Sequence, residues 1–380
     1  MWLNKLLPFK KKRGENNPDY VILFGVLFLV VFGLLMLSSA SSEIGLNLNN
    51  DALFFLKTQI LKGVLVGGIF GLILYFIDYK ILKKLALPLL IISIILLILI
   101  FTPLGVSEKG ATRWLDLKII TIQPAEIIKF TFILYLASWL SGKEGVKRKK
   151  DIKAGLLPFL IIAGIISALL IKQPATSIVA ITMFSALILY FSSGAKMSYI
   201  GGVMVLGLLM IIFVKMTTPY RLERVTSYFL SKNQSDEYIR GPGYHLNQAL
   251  ITIGSGGLFG VGYGNSINKT KYLPEPIGDS IFAVIAEEFG FIGTSILIAV
   301  FLMIIIRGFI LAQKTKDEFI RLTFIGFTSI IGLQTFAHIG SISGVIPMTG
   351  VPLPFISYGS TALVVFLSMT GLMLNMSRAV

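Results

Sequence analysis

Long apolar runs recur along nearly the whole chain, and they constrain its fold more than any other feature. A helix needs about 20 apolar residues to cross a hydrocarbon core of about 30 Å. Such runs predict ten transmembrane helices, at residues 20–39, 59–77, 82–103, 122–140, 155–171, 175–192, 198–215, 279–306, 321–340 and 356–376. The expected fold is all-α: one polytopic integral membrane domain over residues 1–380, with about ten transmembrane helices and one large extracytoplasmic loop.

The composition excludes a soluble globular protein. Hydrophobic residues make up 55% of the chain and charged residues 14%, whereas soluble domains have about 45–50% and about 25%. Cysteine is absent, which excludes disulfides, thiolate catalysis and cysteine metal sites. The sequence contains no Walker lysine motif, so nucleotide-driven transport by this chain alone is not expected.

Basic residues outnumber acidic ones, with 34 Lys and Arg against 19 Asp and Glu. They lie in short clusters beside the apolar runs, so membrane topology explains them better than nucleic-acid binding does. The clusters are Lys10 to Arg13, Lys80 to Lys84, Lys143 to Lys153, Arg307 to Arg321, and Arg378. By the positive-inside rule, the N-terminal residues 1–19 and both termini are expected in the cytoplasm, and the segment 216–278 outside.

A glycine-rich run, Gly254 to Asn265, lies within that outer segment. It superficially resembles a nucleotide-binding loop, but it does not satisfy G-x-G-x-x-G and follows no strand of a βαβ unit. We therefore interpret it as a series of tight turns with close backbone packing.

Asp279 stands where the outer segment meets the eighth expected span, after a turn bounded by Pro274 and Pro276. A carboxylate at this place is typical of a helix N-terminus, where the helix dipole stabilises it by about 0.3–1 kcal/mol. A carboxylate at the membrane surface is also a candidate base. The residues alone favour the stabilising role.

Several charged residues fall inside expected spans, among them Glu126, Lys129, Glu287 and Glu288. Glu126 and Lys129 are three residues apart, hence on one helix face, and their spacing predicts an internal ion pair. An unpaired charge would cost about 2.5–3.5 kcal/mol at mid-membrane, so a structural pair and a site role both stay open. Glu287 and Glu288 lie too deep for easy solvation, and one of them is expected to cap or pair with a neighbouring helix.

No cluster of metal-ligating residues is visible in the sequence. Of the two histidines, His338 is expected to be a hydrogen-bonded core residue. His245 is interpreted as a lone loop residue.

Several motifs in fixed order resemble the FtsW/RodA family of cell-wall polymerases, also known as the SEDS family (shape, elongation, division, sporulation). The resemblance covers most of the chain and is strongest to the FtsW division branch. The matching residues are Ser38 to Ser41; Gly110, Ala111, Arg113 and Trp114; Gln123, Pro124, Glu126 and Lys129; Tyr220, Arg221, Arg224, Val225, Gly243 and Tyr244; Tyr272 to Glu275, Asp279, Ile281 to Ala283, Glu287, Glu288 and Gly290; and Gly344, Pro347, Thr349, Gly350, Pro352 to Phe355 and Ser357 to Ser360.

The chain departs from the family pattern at two places. Where the family usually has His-Thr-Asp-Phe, this chain has Ile-Gly-Asp-Ser at residues 277–280. Where the family usually has Gln-Pro-Asp, residues 173–175 read Gln-Pro-Ala, which removes a second outer carboxylate. Asp279 itself is retained, so the departures affect auxiliary contacts more than the expected activity.

The resemblance implies a peptidoglycan glycosyltransferase that polymerises lipid II in septal wall synthesis, with undecaprenyl diphosphate as the leaving group. It implies that Asp279 is catalytic, and we expect it to act as general base. The substrate-binding residues expected from the motifs are Arg113, Lys129, Gln123, Glu126, Glu275 and Ser357. Arg113 and Lys129 are the candidates for the diphosphate, although an interfacial arginine also snorkels to the membrane surface without a function.

The expected partners are lipid II, the growing glycan strand, membrane lipid, a class B penicillin-binding protein and other divisome or elongasome proteins, with no nucleic acid. A divalent cation, Mg²⁺ or Mn²⁺, bridging the substrate diphosphate is compatible with the sequence. The competing functions are a lipid II flippase and a non-catalytic scaffold of the division or elongation complex. Of the three, only the polymerase requires a base at the outer surface.

Overall fold

The computed structural model describes residues 17–108, 111–118, 120–196, 199, 201 and 243–380. Seven helices in this part of the chain are long and apolar enough to cross a membrane. They are α1 (Tyr20–Asn49), α2 (Phe54–Phe76), α3 (Tyr79–Leu99), α6 (Ile152–Lys172), α10 (Ile281–Lys314), α11 (Glu318–Ile342) and α12 (Ser360–Ser377). Two shorter helices, α4 (Pro124–Leu140) and α7 (Thr176–Ser192), fall on two further expected spans.

Most of the expected span at 198–215 lies outside the described residues, as do the motif residues Gly110 and 220–225. The remaining elements are short. They are α5 (Lys143–Arg148), α8 (Tyr244–Ser255) and α9 (Asn268–Lys271), and the strands β1 (Gly105–Glu108), β2 (Ala111–Asp116) and β3 (Thr121–Ile122). The prediction of a polytopic helical membrane protein is confirmed.

Helix α4 lies at the centre of the bundle. Fourteen of its 17 residues are buried, and it packs against α3, α7, α11 and α12. Pro124 occupies the first turn, where its missing N–H costs no helical hydrogen bond. The outer helices α1, α2 and α3 instead expose many large apolar side chains, as expected of helices that face lipid.

The three strands form a small antiparallel sheet, in the order β1-β2-β3, between α3 and α4. The sheet has no clear sequence signal, because strands of two to six residues give too short an alternation to stand out beside the apolar runs. The sheet places Arg113 on its central strand.

Helix α10 is broken at Gly290, whose φ of 65° and ψ of −166° are not helical. The glycine-rich run packs against this break: Val261 N donates to Glu287 O at 2.9 Å, and Phe291 N donates to Gly257 O at 2.9 Å. Gly256, Gly260 and Gly290 leave no room for a β-carbon. The prediction of tight turns with close backbone packing is confirmed.

Candidate functional site

Asp279 lies in the turn that precedes α10. Helix α10 begins at Ile281, two residues later than the sequence predicted, so Asp279 precedes the N-cap residue Ser280. The turn closes on the carbonyl of Glu275, which accepts hydrogen bonds from Gly278 N and Ser280 N, each at 3.1 Å. Glu275 itself is exposed and has a left-handed backbone, with φ of 50°. Asp279 is partly buried, so its carboxylate lies at the edge of the fold.

A second segment, residues 349–359, packs against this turn and brings two distant motifs together. Tyr358 N donates to Ile277 O at 2.9 Å, and Ser357 Oγ donates to Gly278 O at 2.8 Å. Gly350 lies directly beside the carboxylate, because a β-carbon there would be 3.1 Å from Asp279 Oδ2. We call the turn 273–280 together with residues 349–359 the Asp279 site.

Ser357 is buried and supports the site from behind. Its hydroxyl donates to Gly278 O and accepts a hydrogen bond from Leu353 N at 2.8 Å. Gln59 on α2 holds the same segment, through Gly359 N at 3.2 Å and Ser357 O at 3.4 Å. The side chain of Ser357 therefore fixes the backbone of the Asp279 site.

Glu126 and Lys129 form the predicted ion pair, with 2.6 Å between Lys129 Nζ and Glu126 Oε2 and side chains that are each 1% exposed. Lys129 Nζ also donates to Gln334 Oε1 at 2.6 Å, and it lies over the Phe366 ring, 5.3 Å from its centroid. Gln334 Nε2 in turn donates to Pro352 O at 2.9 Å. The pair thus supports residues 349–359 through Gln334.

His338, one helical turn after Gln334, has the predicted role of a hydrogen-bonded core residue. It is buried, and its Nδ1 lies 2.7 Å from Val351 O. Because a carbonyl only accepts, this nitrogen carries the hydrogen. Helix α11 therefore holds two successive residues of the segment beside Asp279.

Arg113 reaches the turn between α6 and α7. Its Nε donates to Gln173 O at 3.3 Å and its Nη2 to Pro174 O at 2.8 Å. Just beyond this turn, Ser177 Oγ donates to Thr349 O at 2.5 Å. The guanidinium fork therefore binds two backbone carbonyls of a turn that adjoins the Asp279 site.

Gln123 contacts α12 through its backbone, because its N–H donates to Thr361 Oγ1 at 3.2 Å. This contact joins the start of α4 to the first turn of α12. The expected substrate-binding residues thus fall into three groups. Glu275 and Ser357 lie within the Asp279 site, and Glu126 and Lys129 support it through Gln334. Arg113 and Gln123 contact elements that adjoin the site.

Both inner glutamates of α10 have partners, where the sequence predicted a partner for one of them. Glu288 Oε1 lies 2.7 Å from Lys269 Nζ and 2.6 Å from Ser39 Oγ on α1. Glu287 accepts from Asn268 Nδ2 at 2.8 Å and from Ser266 Oγ. These buried groups fix the segment that follows the glycine-rich run against α1 and α10.

The interpretation of His245 as a lone loop residue is wrong. His245 lies on α8, and its Nε2 is 2.7 Å from Ser280 Oγ, next to Asp279. No local sequence signal reveals this contact, because the two residues are 35 positions apart.

Among the described residues, no group of three or more His, Asp or Glu side chains is arranged to hold a metal ion. A divalent cation bridging a substrate diphosphate stays a prediction.

Comparison with known proteins places these features in context. The family model FTSW_RODA_SPOVE, described as "Cell cycle protein", matches residues 20–380. A "Probable peptidoglycan glycosyltransferase FtsW" of Geobacter sp. (strain M18) is 34% identical over 367 residues, covering 96% of this chain and 98% of the relative. "Stage V sporulation protein E" of Bacillus subtilis (strain 168) is 33% identical, with 96% and 98% coverage.

Solved structures agree with these sequence relatives. A chain from "Structural coordination of polymerization and crosslinking by a peptidoglycan synthase complex" superimposes with a TM-score of 0.77 at 26% identity, covering 95% of this chain and 98% of that chain. The rod shape determining protein RodA of Thermus thermophilus superimposes with a TM-score of 0.69 at 25% identity, with 95% and 97% coverage.

Proposed function

This chain belongs to the FtsW, RodA and SpoVE family of cell cycle proteins, and from that premise we propose that Asp279 is the general base with which it polymerises lipid II. The chain is a peptidoglycan glycosyltransferase of the membrane, like the relatives that carry this name. Its similarity to FtsW proteins supports a role in septal wall synthesis during cell division.

The proposal rests on one observation, the partly buried carboxylate of Asp279 held against Gly350 at the edge of the fold. As base, Asp279 accepts the proton of the acceptor GlcNAc hydroxyl while that oxygen attacks the anomeric carbon of the donor MurNAc. The bond from that carbon to the diphosphate oxygen breaks, and undecaprenyl diphosphate leaves with the electron pair. Positioned base catalysis contributes about 10²–10⁴-fold, so substrate positioning must contribute much of the remainder.

Cations near the departing diphosphate stabilise the charge that grows on it in the transition state. Arg113 is our candidate for direct contact, because a guanidinium offers five N–H donors and the two carbonyl contacts orient it. Lys129 is better suited to an indirect role, since its ammonium is buried between Glu126 and Gln334. Glu275, exposed on the turn, is the candidate for contact with the sugar.

We assign both termini to the cytoplasmic side and the Asp279 site to the outer face of the cytoplasmic membrane. The support is the basic charge near one end of the bundle, at Arg307, Lys314, Arg321 and Arg378. A class B penicillin-binding protein is the proposed partner, because one matching structure is a peptidoglycan synthase complex. The growing glycan strand, membrane lipid and other divisome or elongasome proteins complete the proposed set.

A polymerase requires Asp279 as a base, whereas a flippase or a scaffold does not. Substitution of Asp279 therefore tests the proposed function directly. Purified protein is reconstituted with lipid II, with and without a class B penicillin-binding protein, and the glycan products are resolved on gels. Wild type and Asp51→Asn, a control at an exposed carboxylate paired with Lys57, should polymerise. Folded Asp279→Asn should make no polymer. Wild-type polymerisation by Asp279→Asn would remove the general-base proposal.

A further inference from the structure

Residues Gly256–Ile267, which include most of the glycine-rich run, carry large apolar side chains on their outer surface. We call these residues the loop segment. Leu258 is 63% exposed, Phe259 79% and Ile267 69%. An aqueous loop seldom exposes such a group of side chains without a partner, because large exposed apolar patches mark sites of interaction with protein or membrane. The depth of this segment in the membrane decides whether these side chains contact protein or lipid.

Helix α10 provides the first measure of that depth. Arg307 on α10 forms an ion pair with Asp19, the N-cap residue of α1, at 2.7 Å. We place one membrane surface at this pair, because charged side chains are costly within the hydrocarbon layer. Gly290, where the segment is hydrogen-bonded to α10, lies 17 residues before Arg307. At about 1.5 Å per residue this separation is about 26 Å, less than the hydrocarbon thickness of about 30 Å.

Helix α1 provides an independent measure. Tyr263 of the segment donates its hydroxyl to Leu35 O at 3.0 Å and contacts Ser38 Oγ at 2.6 Å. Leu35 lies 15 residues after Tyr20, next to Asp19, which corresponds to about 22 Å along the helix. Helix tilt lowers both values further. Both helices thus place the segment inside the hydrocarbon layer, near the surface opposite the Asp19–Arg307 pair.

Non-helical backbone is tolerated at this depth only where its polar groups are satisfied within the protein. The segment meets this condition at its contacts with α10. Val261 N and Gly262 N donate to Glu287 O and Glu288 O, while Leu258 O accepts from Ile292 N, at 2.9 to 3.1 Å. The buried hydroxyl of Ser266 also turns inward, and it donates to the buried carboxylate of Glu287 on α10.

We propose that Gly256–Ile267 is a re-entrant loop inserted in the bilayer, with Leu258 and Phe259 in contact with the acyl chains of the leaflet opposite the Asp19–Arg307 pair. We assign acyl chains as the partner of these apolar side chains because the exposed loop surface continues onto α10 at the same depth. Phe291 on α10, for example, is 66% exposed. The sequence predicts only that this segment belongs to the outer segment 216–278. The inference uses neither Asp279 nor the proposed reaction.

The absence of cysteine makes spin labelling a clean test. A nitroxide is attached to Phe259→Cys in proteoliposomes of phosphatidylethanolamine and phosphatidylglycerol. Its collision rates with oxygen, which concentrates in lipid, and with a water-soluble nickel chelate are then compared. The lipid reference is Ile296→Cys, on the exposed face of α10, and the aqueous reference is Asn49→Cys, at the exposed end of α1. Leu258→Cys is a second reporter in case Phe259→Cys does not fold.

The expected result is preferential collision with oxygen at residues 258 and 259, as at residue 296, and the reverse at residue 49. Preferential collision with the nickel chelate at 258 and 259 would place the loop in water and overturn the proposal. Low collision with both reagents would also overturn it, because the surface would then be covered by protein, such as a second copy of this chain.

Discussion

The imidazole of His245 approaches the hydroxyl of Ser280, the residue that follows Asp279, with 2.7 Å between Nε2 and Oγ. Ser280 Oγ donates its hydrogen to Pro274 O at 2.6 Å, so the imidazole Nε2 must be the donor in this pair. Helix α8 thereby contacts the end of the turn that presents Asp279, and Ser280 links this end to Pro274. Ile277 stands where the family usually has a histidine within this turn. In this chain the imidazole of His245 on α8 contacts the turn.

The first prediction concerns this positioning contact. His245→Ala should lower kcat for lipid II polymerisation with little change in KM, whereas His245→Gln should retain most activity because its amide can donate to Ser280. A hydrogen bond contributes about 0.5–1.5 kcal/mol, so the loss for alanine should be about twofold to tenfold. Steady-state kinetics of both variants provide the test. Equal activity in the two variants would argue against positioning by this hydrogen bond.

The second prediction uses the glycine beside Asp279. Gly350 has a left-handed backbone, with φ of 61°, and a β-carbon there would lie 3.1 Å from Asp279 Oδ2. Gly350→Ala should therefore displace the carboxylate and reduce polymerisation strongly. Gly344→Ala is the matched control, because φ is 74° but the nearest atom to its β-carbon would be 3.7 Å away. Both changes should destabilise the fold by about 1–2 kcal/mol, and only Gly350→Ala should reduce activity in folded protein.

The third prediction separates two roles of Arg113. Arg113→Lys keeps the charge and loses the fork, so turnover should fall if the guanidinium stabilises the diphosphate. Loss of a charge-assisted hydrogen bond of about 1.5–3 kcal/mol corresponds to about a tenfold to hundredfold decrease in kcat. Polymerisation rates across lipid II concentrations, with Tm measured in parallel, test this. A lowered Tm with normal kinetics in both Arg113→Lys and Arg113→Ala would show that the arginine stabilises the fold, as its contacts with Gln173 and Pro174 do, and does not act on the diphosphate.

The fourth prediction concerns orientation. Lys149, within the basic cluster after α4, is buried and paired with Glu318, so its neighbour Lys150, which is exposed, is the better labelling site. In intact cells an impermeant thiol reagent should modify Asn49→Cys and leave Lys150→Cys unmodified. Permeabilised cells, in which both should react, are the control. Labelling of Lys150→Cys in intact cells would place the Asp279 site on the cytoplasmic side.

The sequence predicted what local patterns determine. Apolar runs identified nine spans that fall on helices in the described part of the chain, and the spacing of Glu126 and Lys129 predicted their ion pair. It did not predict the contacts of His245 with Ser280 or of Gln59 with Ser357, which join residues 35 and 298 positions apart. The break at Gly290 was also missed, because its cause is the approach of the glycine-rich run from outside the helix.

The last prediction tests whether the buried ion pair is structural. Lys129→Met leaves Glu126 as an uncompensated charge that is 1% exposed, and removing one partner of such a pair costs about 3–5 kcal/mol. Lys129→Met should therefore lower Tm in detergent, and addition of Glu126→Gln should restore most of the loss because the charge is removed. If the pair contributes only to the stability of the fold, the stable double variant should keep much of its polymerisation activity. A double variant with restored Tm and no activity would instead place Lys129 in the chemistry of the leaving group.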